Sequence, residues 1–201
     1  MILVLGAGGH ARPVIEALRA AGLEPAGLLD DAASGDLLGV AVLGPIGSLA
    51  ARRAPGLSAV IAIGDNTTRA RLGAMCRTLG IGLPAVIHPA ALVSPSARVA
   101  EGAQVMARAV IGPEATVGAL ALVNTGAIVE HDCVVGDAAH LGPGVVLCGG
   151  VRVGARALLG AGAVARPGLV IGDDAVVAPG AALGTDVPAA ARMGGVPARP
   201  I

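Results

Sequence analysis

From Val93 to Leu183 an apolar residue returns at every sixth position: Val93, Val99, Val105, Ile111, Val117, Val123, Val129, Val135, Leu141, Leu147, Val153, Leu159, Ala165, Ile171, Val177 and Leu183. Two residues ahead of each runs a second column, Ala91 to Ala181, in which 12 of 16 residues are alanine. A period of six suits neither a helix nor a ladder of hairpins. It suits a coiled prism in which one hexad makes one flat side and one corner and three hexads close a coil. The aliphatic side chains then fill the interior and alanine leaves them room. Such hexads predict about five coils, each dependent on its neighbours because none buries its apolar column alone. Glycine directly follows the aliphatic residue at Gly112, Gly118, Gly136, Gly142, Gly154, Gly160, Gly172 and Gly184, where corners with unusual dihedrals are expected.

Ahead of the hexads, short β-rich runs alternate with helical ones. Residues 2–5 read as a strand, followed by a glycine turn and an amphipathic helix over 10–21. Further strands are expected at 26–29, 39–43 and 59–63, with helical segments over 46–53 and 67–79. Strands alternating with helices imply a parallel sheet covered on both faces, here about half a Rossmann fold. The change of rule near His88 divides the chain into residues 1–87 and 88–201. The expected fold class is a small Rossmann-like parallel α/β domain followed by a parallel β-helix of hexapeptide repeats.

Composition narrows the chemistry mainly by omission. The 201 residues include no Phe, Trp or Tyr, so the core is aliphatic. The 14 basic residues are all arginine and are matched by 14 acids, with neither half basic. Without clustered cations or stacking platforms, nucleic acid is excluded as a partner. Cys76, Cys133 and Cys148 are odd in number and form no CxxC, which speaks against a disulfide framework or zinc ribbon and fits a reducing cytoplasm. The first residues lack the features of a secretory signal. The longest run without Asp, Glu or Arg, residues 78–97, is broken by Pro84, His88, Pro89 and Pro95, so no membrane span is expected.

The hexads and the closing Gly194-Gly195-Val196-Pro197-Ala198-Arg199 resemble the hexapeptide-repeat acyltransferases. Gly6-Ala7-Gly8-Gly9-His10-Ala11, Leu29-Asp30-Asp31, Ile63-Gly64-Asp65-Asn66, Val86-Ile87-His88-Pro89 and Glu130-His131-Asp132-Cys133 narrow the match. Together they resemble bacterial sugar O- and N-acetyltransferases, the group that includes sialic acid O-acetyltransferases and UDP-4-amino-sugar N-acetyltransferases. The resemblance implies a left-handed β-helix, acetyl-CoA as co-substrate, no metal, and a homotrimer with active sites between neighbouring subunits.

His131-Asp132 follows Val129 by two and three residues, so both side chains should leave the prism core. An exposed imidazole can take a proton from an attacking amine or hydroxyl, with the carboxylate holding its tautomer. A solvated turn histidine is the plainer alternative. His140 lies half a coil further on and cannot meet His131 within one subunit, whereas Asn124 lies nearly one coil before His140 and should stack on it. In a trimer, Asn124 and His140 of one chain would face His131 of the next. The resemblance places the oxyanion donor at the Gly149 N–H and the pantetheine groove along Ala161, Pro179 and Gly180.

The first turn also fits G-x-G-x-x-A through Gly6, Gly8 and Ala11, with Asp30 where a dinucleotide ribose would sit, and taken alone suggests NAD. Too few strands follow for a dinucleotide. In the resembling family this pocket holds the nucleotide of a sugar substrate, with Gly8, Gly9 and His10 near phosphate and Asp30, Asp31 and Asn66 nearby. The same fold admits two other functions, a zinc-dependent carbonic-anhydrase-like protein using His88, His131 and His140, and a noncatalytic scaffold. Whether the acceptor group is an amine or a hydroxyl stays open at this point.

Overall fold

The structure is a computed structural model that describes all 201 residues. In chain order its first part comprises β1 (Ile2–Leu5), α1 (Ala11–Ala20), β2 (Gly27–Leu29), β3 (Asp36–Leu37), β4 (Val40–Ala41), a 3-10 helix (Ile46–Arg52), β5 (Ser58–Ile61) and α2 (Asn66–Thr78). The order β2-β1-β5 makes a three-stranded parallel sheet. Val14, Ile15 and Leu18 of α1 recur at helical spacing and bury one face of that sheet with Val4, Leu28 and Val60. Leu72 and Cys76 of α2 cover the other face together with Leu49 of the 3-10 helix, against Leu3, Leu5 and Ile61. The strand expected over 39–43 is different. β3 and β4 form an antiparallel hairpin that turns through Leu38 and Gly39, both at positive φ, and only Val42 bridges to Leu28 of the parallel sheet. The segment expected to be helical over 46–53 is a 3-10 turn.

The second part is a three-faced solenoid of two-residue strands. The first face has six strands, from Leu92–Val93 to Ala182–Leu183, and the second has five, from Arg98–Val99 to Val170–Ile171. The third has eight, beginning at Val86–Ile87 and ending in the antiparallel pair Arg192–Gly194 with Arg199–Pro200. The aliphatic and alanine columns form one continuous buried core from Ala103 to Ala198. No helix is long and apolar enough to cross a membrane.

The glycines after the aliphatic column do not serve the purpose expected of them. Positive φ falls two residues later, at one corner position per hexad, and is often held by residues other than glycine: Arg108, Glu114, Leu120, Asp132, Ala138, Arg156 and Asp174. Gly136 is instead required by crowding, since a Cβ there would lie 2.7 Å from both the Ala155 nitrogen and the Gly154 carbonyl carbon of the next coil. Coils stack at strand spacing, about 4.8 Å, and at that point two backbones leave no room for a side chain.

Helix α2 lies along the edge between the second and third faces and touches successive coils through one stripe. The Asn66 amide donates to the carbonyls of Arg156 (2.7 Å) and Ala157 (3.2 Å). Arg69, wholly buried, donates through Nη2 to Ala138 (2.8 Å) and through Nε to Leu120 (2.8 Å). The Leu120 side chain packs into the notch left by Gly73, and Arg77 pairs with Glu101 at 2.7 Å. Positions 66, 69, 73 and 77 thus meet the coils in descending order, because a helix turn and a coil advance by similar distances.

Candidate active site

The turn after strand Ile128–Val129 brings His131 to the edge between the first and second faces, where Asp132 takes the left-handed corner position at φ 60. His131 Nδ1 and Asp132 Oδ2 are 2.8 Å apart, and both side chains are exposed. This hydrogen bond raises the His131 pKa above its ordinary value. A carboxylate can only accept, so Nδ1 carries the proton and Nε2 of the neutral ring presents a lone pair. Nε2 points at Gly149, one coil further along: a Cβ there would be 2.6 Å from Nε2 and from Cε1.

At the corner position occupied by Gly149, coil-to-coil ladders offer the N–H no carbonyl. Proline fills the equivalent place at Pro113, Pro143, Pro167 and Pro179, and asparagine or aspartate side chains cap it at Ala119, Thr125 and Ala155. The Gly149 N–H has neither remedy and no acceptor within the chain, as is also true at Ala107, His131, Asp137, Ala161 and Asp173, and what sets Gly149 apart is the His131 ring lying against it. An open donor beside a lone-pair nitrogen is an arrangement able to stabilise an oxyanion while a proton is removed.

Asn124 and His140 sit together on the third face, with Nδ2···Nε2 3.4 Å. Burial, then the nearby Arg69 and His10, push the His140 pKa down to about 4, so its ring is neutral at pH 7. Ala161, Pro179 and Gly180 follow the edge that Asn124 begins, between the third and first faces, and the Gly180 N–H donates to the Ala161 carbonyl at 2.8 Å. Within one chain there are therefore two groups: His131, Asp132 and Gly149 at one edge of the first face, and Asn124, Ala161, Pro179 and Gly180 at the other. The chain does not bring them together. Cys133 is buried with its Sγ donating to the Cys148 carbonyl at 3.2 Å. No three of the chain's His, Cys, Asp and Glu residues gather as a metal site, and His88, His131 and His140 stay apart.

At the carboxyl end of the three-stranded sheet, Gly8 and Gly9 are exposed, and a Cβ on either would meet nothing within 4 Å. Asp30 Oδ2 accepts from the Ala7 N–H at 2.7 Å, while Oδ1 accepts from Ala32 and Ala33 at 2.9 and 2.7 Å. Burial opposes its charge, but these three donors outweigh it and hold the carboxyl below its usual pKa. Asp31 clasps the Ile46 N–H at 2.9 Å. His10 Nε2 is 2.9 Å from Gln104 Oε1, and the buried Gln104 donates its amide to the Ile61 carbonyl at 2.7 Å. That second bond makes Oε1 the acceptor, so His10 donates through Nε2. Asn66, expected beside the nucleotide, spends its amide on the solenoid, and its Oδ1 accepts from Arg69 Nη2 at 2.8 Å. Arg69 and Gln104 escaped the sequence reading, since neither belongs to a motif. A cationic position three residues after Asn66, on the same stripe of α2, was the available signal.

An edge histidine over an open backbone donor, on a hexapeptide prism that follows a half-Rossmann unit, defines an acyltransferase of the β-helix class. The family described as the PglD N-terminal domain matches residues 1–75. A variant of perosamine N-acetyltransferase from Caulobacter crescentus, solved with CoA and GDP-perosamine, is 45% identical with a TM-score of 0.97, covering 100% of this chain and 96% of that one. The acetyltransferase domain of PglB from Neisseria gonorrhoeae, in complex with acetyl coenzyme A, is 35% identical with a TM-score of 0.95, covering 100% and 98%. WeeI from Acinetobacter baumannii is 26% identical with a TM-score of 0.89, covering 100% and 99%. No curated protein sequence matches the chain. This chain belongs to the hexapeptide-repeat sugar acetyltransferases, and its solenoid is their left-handed β-helix.

Proposed function

We propose that the protein moves the acetyl group of acetyl-CoA to an amine of a nucleotide-linked amino sugar, with His131 as general base. The observation that carries this reading is the Asp132–His131–Gly149 column: an oriented imidazole whose lone pair lies beside a free N–H. Nε2 takes a proton from the amine as its nitrogen attacks the thioester carbonyl. The new C–N bond leaves a negative oxygen for the Gly149 N–H to stabilise. The C–S bond then breaks, and the CoA thiolate takes the proton back from the imidazolium. Sulfur leaves readily, so positioning and one base suffice.

Residues 1–87 serve as the acceptor-binding unit, with the open backbone of Gly8 and Gly9 approached by phosphate, and residues 88–201 as the transfer unit. The working form is a homotrimer packed through the first face. That face carries an outward aliphatic residue on each of its first five coils, Leu92, Val110, Ile128, Val146 and Val164, with Leu92 70% and Val164 40% exposed. Packing these faces around a threefold axis sets the His131 edge of one copy beside the Asn124 edge of the next, and a single groove for pantetheine then runs between Gly149 and Ala161, Pro179 and Gly180. The three unpaired cysteines accord with a reducing, cytoplasmic setting. The test is thiol release from acetyl-CoA in the presence of GDP- and UDP-linked 4-amino sugars, their hydroxyl analogues and free amino sugars. Acetylation of a nucleotide-linked amine is expected, and release with none of these acceptors sinks the reading.

A further inference from the structure

Arg69 is the chain's one fully buried charged side chain, and the chemistry above does not use it. Burial lowers its pKa only to about 10, so the guanidinium keeps its charge at pH 7. No carboxylate is bonded to it. Its donors go to carbonyls on two bodies: Ile63 and Gly64 (both 2.9 Å) in the loop leaving β5, and Leu120, Ala138 and Ala139 (2.8, 2.8 and 3.3 Å) on the solenoid. A buried cation with no carboxylate bonded to it, helped by carbonyls and by the charge of nearby Asp65, is a costly way to hold a helix in place, and apolar packing would do that more cheaply. What a planar fork adds is direction. The Ile63–Gly64 loop lies at the same sheet end as Gly8 and Gly9, and the Gly64 carbonyl also faces the His140 ring.

We propose that Arg69 is a positioning residue: it fixes the acceptor-binding end of the first unit at one height and angle on the prism, so that the bound amine meets the acetyl carbon. This rests on the nucleotide-sugar reading above. Lysine has the charge but lacks the fork, and its single nitrogen cannot replace the three that separately serve Leu120, Ile63 with Gly64, and Ala138.

The test compares Arg69→Lys and Asn66→Ala with Arg77→Ala, which breaks only the exposed ion pair at the far end of the same stripe. Acceptor kinetics, acetyl-CoA affinity by calorimetry and amide hydrogen exchange are measured on the full chain. Arg69→Lys is expected to lower kcat/KM for the acceptor by about tenfold or more, as misplaced reactants do, with acetyl-CoA affinity within about twofold of wild type. Exchange should quicken at residues 63–66 and 138–140 but not at 128–135. Asn66→Ala should follow the same pattern and carries the test if Arg69→Lys does not fold. Arg77→Ala should match wild type. Unchanged acceptor kinetics, or acetyl-CoA affinity falling in step with them, overturns the proposal. If the wild-type protein acetylates no nucleotide sugar, the functional reading has failed and the positioning role falls with it, whereas wild-type acetylation that Arg69→Lys and Asn66→Ala leave unchanged overturns the positioning role alone.

Discussion

Replacing Gly149 with alanine tests the site at its tightest point. The added Cβ would lie 2.6 Å from His131 Nε2 and Cε1 and 3.3 Å from Cδ2. Carbon atoms in comfortable contact are about 3.5–4.0 Å apart, so the ring must retreat by roughly 1 Å. Gly149 is not among the residues with left-handed backbone, so alanine itself is not strained there. The ring is exposed and free to swing, at an off-rotamer cost of about 0.5–1.5 kcal/mol that does not fall on the core. Stability should therefore fall by no more than about 1.5 kcal/mol, a few degrees in Tm. Catalysis should change greatly, because a displacement of about 1 Å can cost about 100-fold. That is about 2.7 kcal/mol of transition-state stabilisation at about 1.36 kcal/mol per decade. Swinging the ring also pulls Nδ1 from Asp132, the contact that raises the pKa of the base. The acid limb of the kcat profile should then move to lower pH, a change that blockage of the thioester site would not produce. Thiol-release kinetics between pH 5 and 9, with calorimetry for acetyl-CoA, read both effects. Wild-type turnover in Gly149→Ala, or a fall in turnover with an unmoved acid limb, refutes the reasoning.

Four further outcomes follow from the same geometry. His131→Ala should lower kcat by about two to four orders of magnitude with acetyl-CoA binding intact, and near-normal turnover would remove it as the base. Asp132→Asn keeps a residue that tolerates the left-handed corner but loses the charge. As the proposed general base, His131 would act only when neutral, and since its pKa is raised, activity should fall as pH drops through that raised value, so this variant should lose activity at a lower pH and have a reduced plateau, measured as kcat against pH. Gly142→Ala should destabilise by about 1–3 kcal/mol in denaturant unfolding, because its Cβ would sit 2.8 Å from the Ala161 nitrogen. Two residues on, Gly144→Ala meets open space at φ +67 and should stay within about 1 kcal/mol, since the left-handed cost of about 1–2 kcal/mol is partly offset in the unfolded chain; equal effects at the two sites would contradict the crowding argument. Ile128→Arg changes only an outward position of the first face and should yield folded monomers by light scattering, whereas an unaltered trimer would place the interface elsewhere.

The solenoid was legible because a buried column must repeat with the geometry that buries it: Val105, Ile111 and Val117 follow one another at one hexad because each is the inward residue of one face. The purpose of the glycines was not. A gap in the hydrophobic pattern looks the same whether the backbone turns left-handed or merely comes too close to its neighbour, and Arg108, Glu114 and Leu120 hid the true left-handed position behind ordinary side chains. His131 and Asp132 declared themselves by adjacency. Gly149 under His131 needed only the arithmetic of one coil, although the resemblance suggested its donor role and not its contact with the ring. Arg69 was hidden for another reason. Its acceptors are backbone carbonyls, which carry no side-chain identity, so nothing at 120 or 138 advertises a partner. The hairpin at 36–41 shows the same weakness on a small scale, since a run of apolar residues does not say which strand it will join.

The even winding of the coils makes chain length itself a discrete variable. Because each hexad spans one face, losing a hexad after His131 would rotate every later residue by a third of a turn and put another corner under the imidazole. Losing a single residue would turn the inward column out toward water. Only whole coils can be gained or lost in register, and even these would shift the stops that α2 meets along its edge if they fell between Glu101 and Arg156. Homologues and engineered variants should therefore differ in solenoid length by steps of one coil placed beyond Gly180, or by loops extruded at a corner. A library of random deletions through this region would recover function in a comb, with teeth one coil apart.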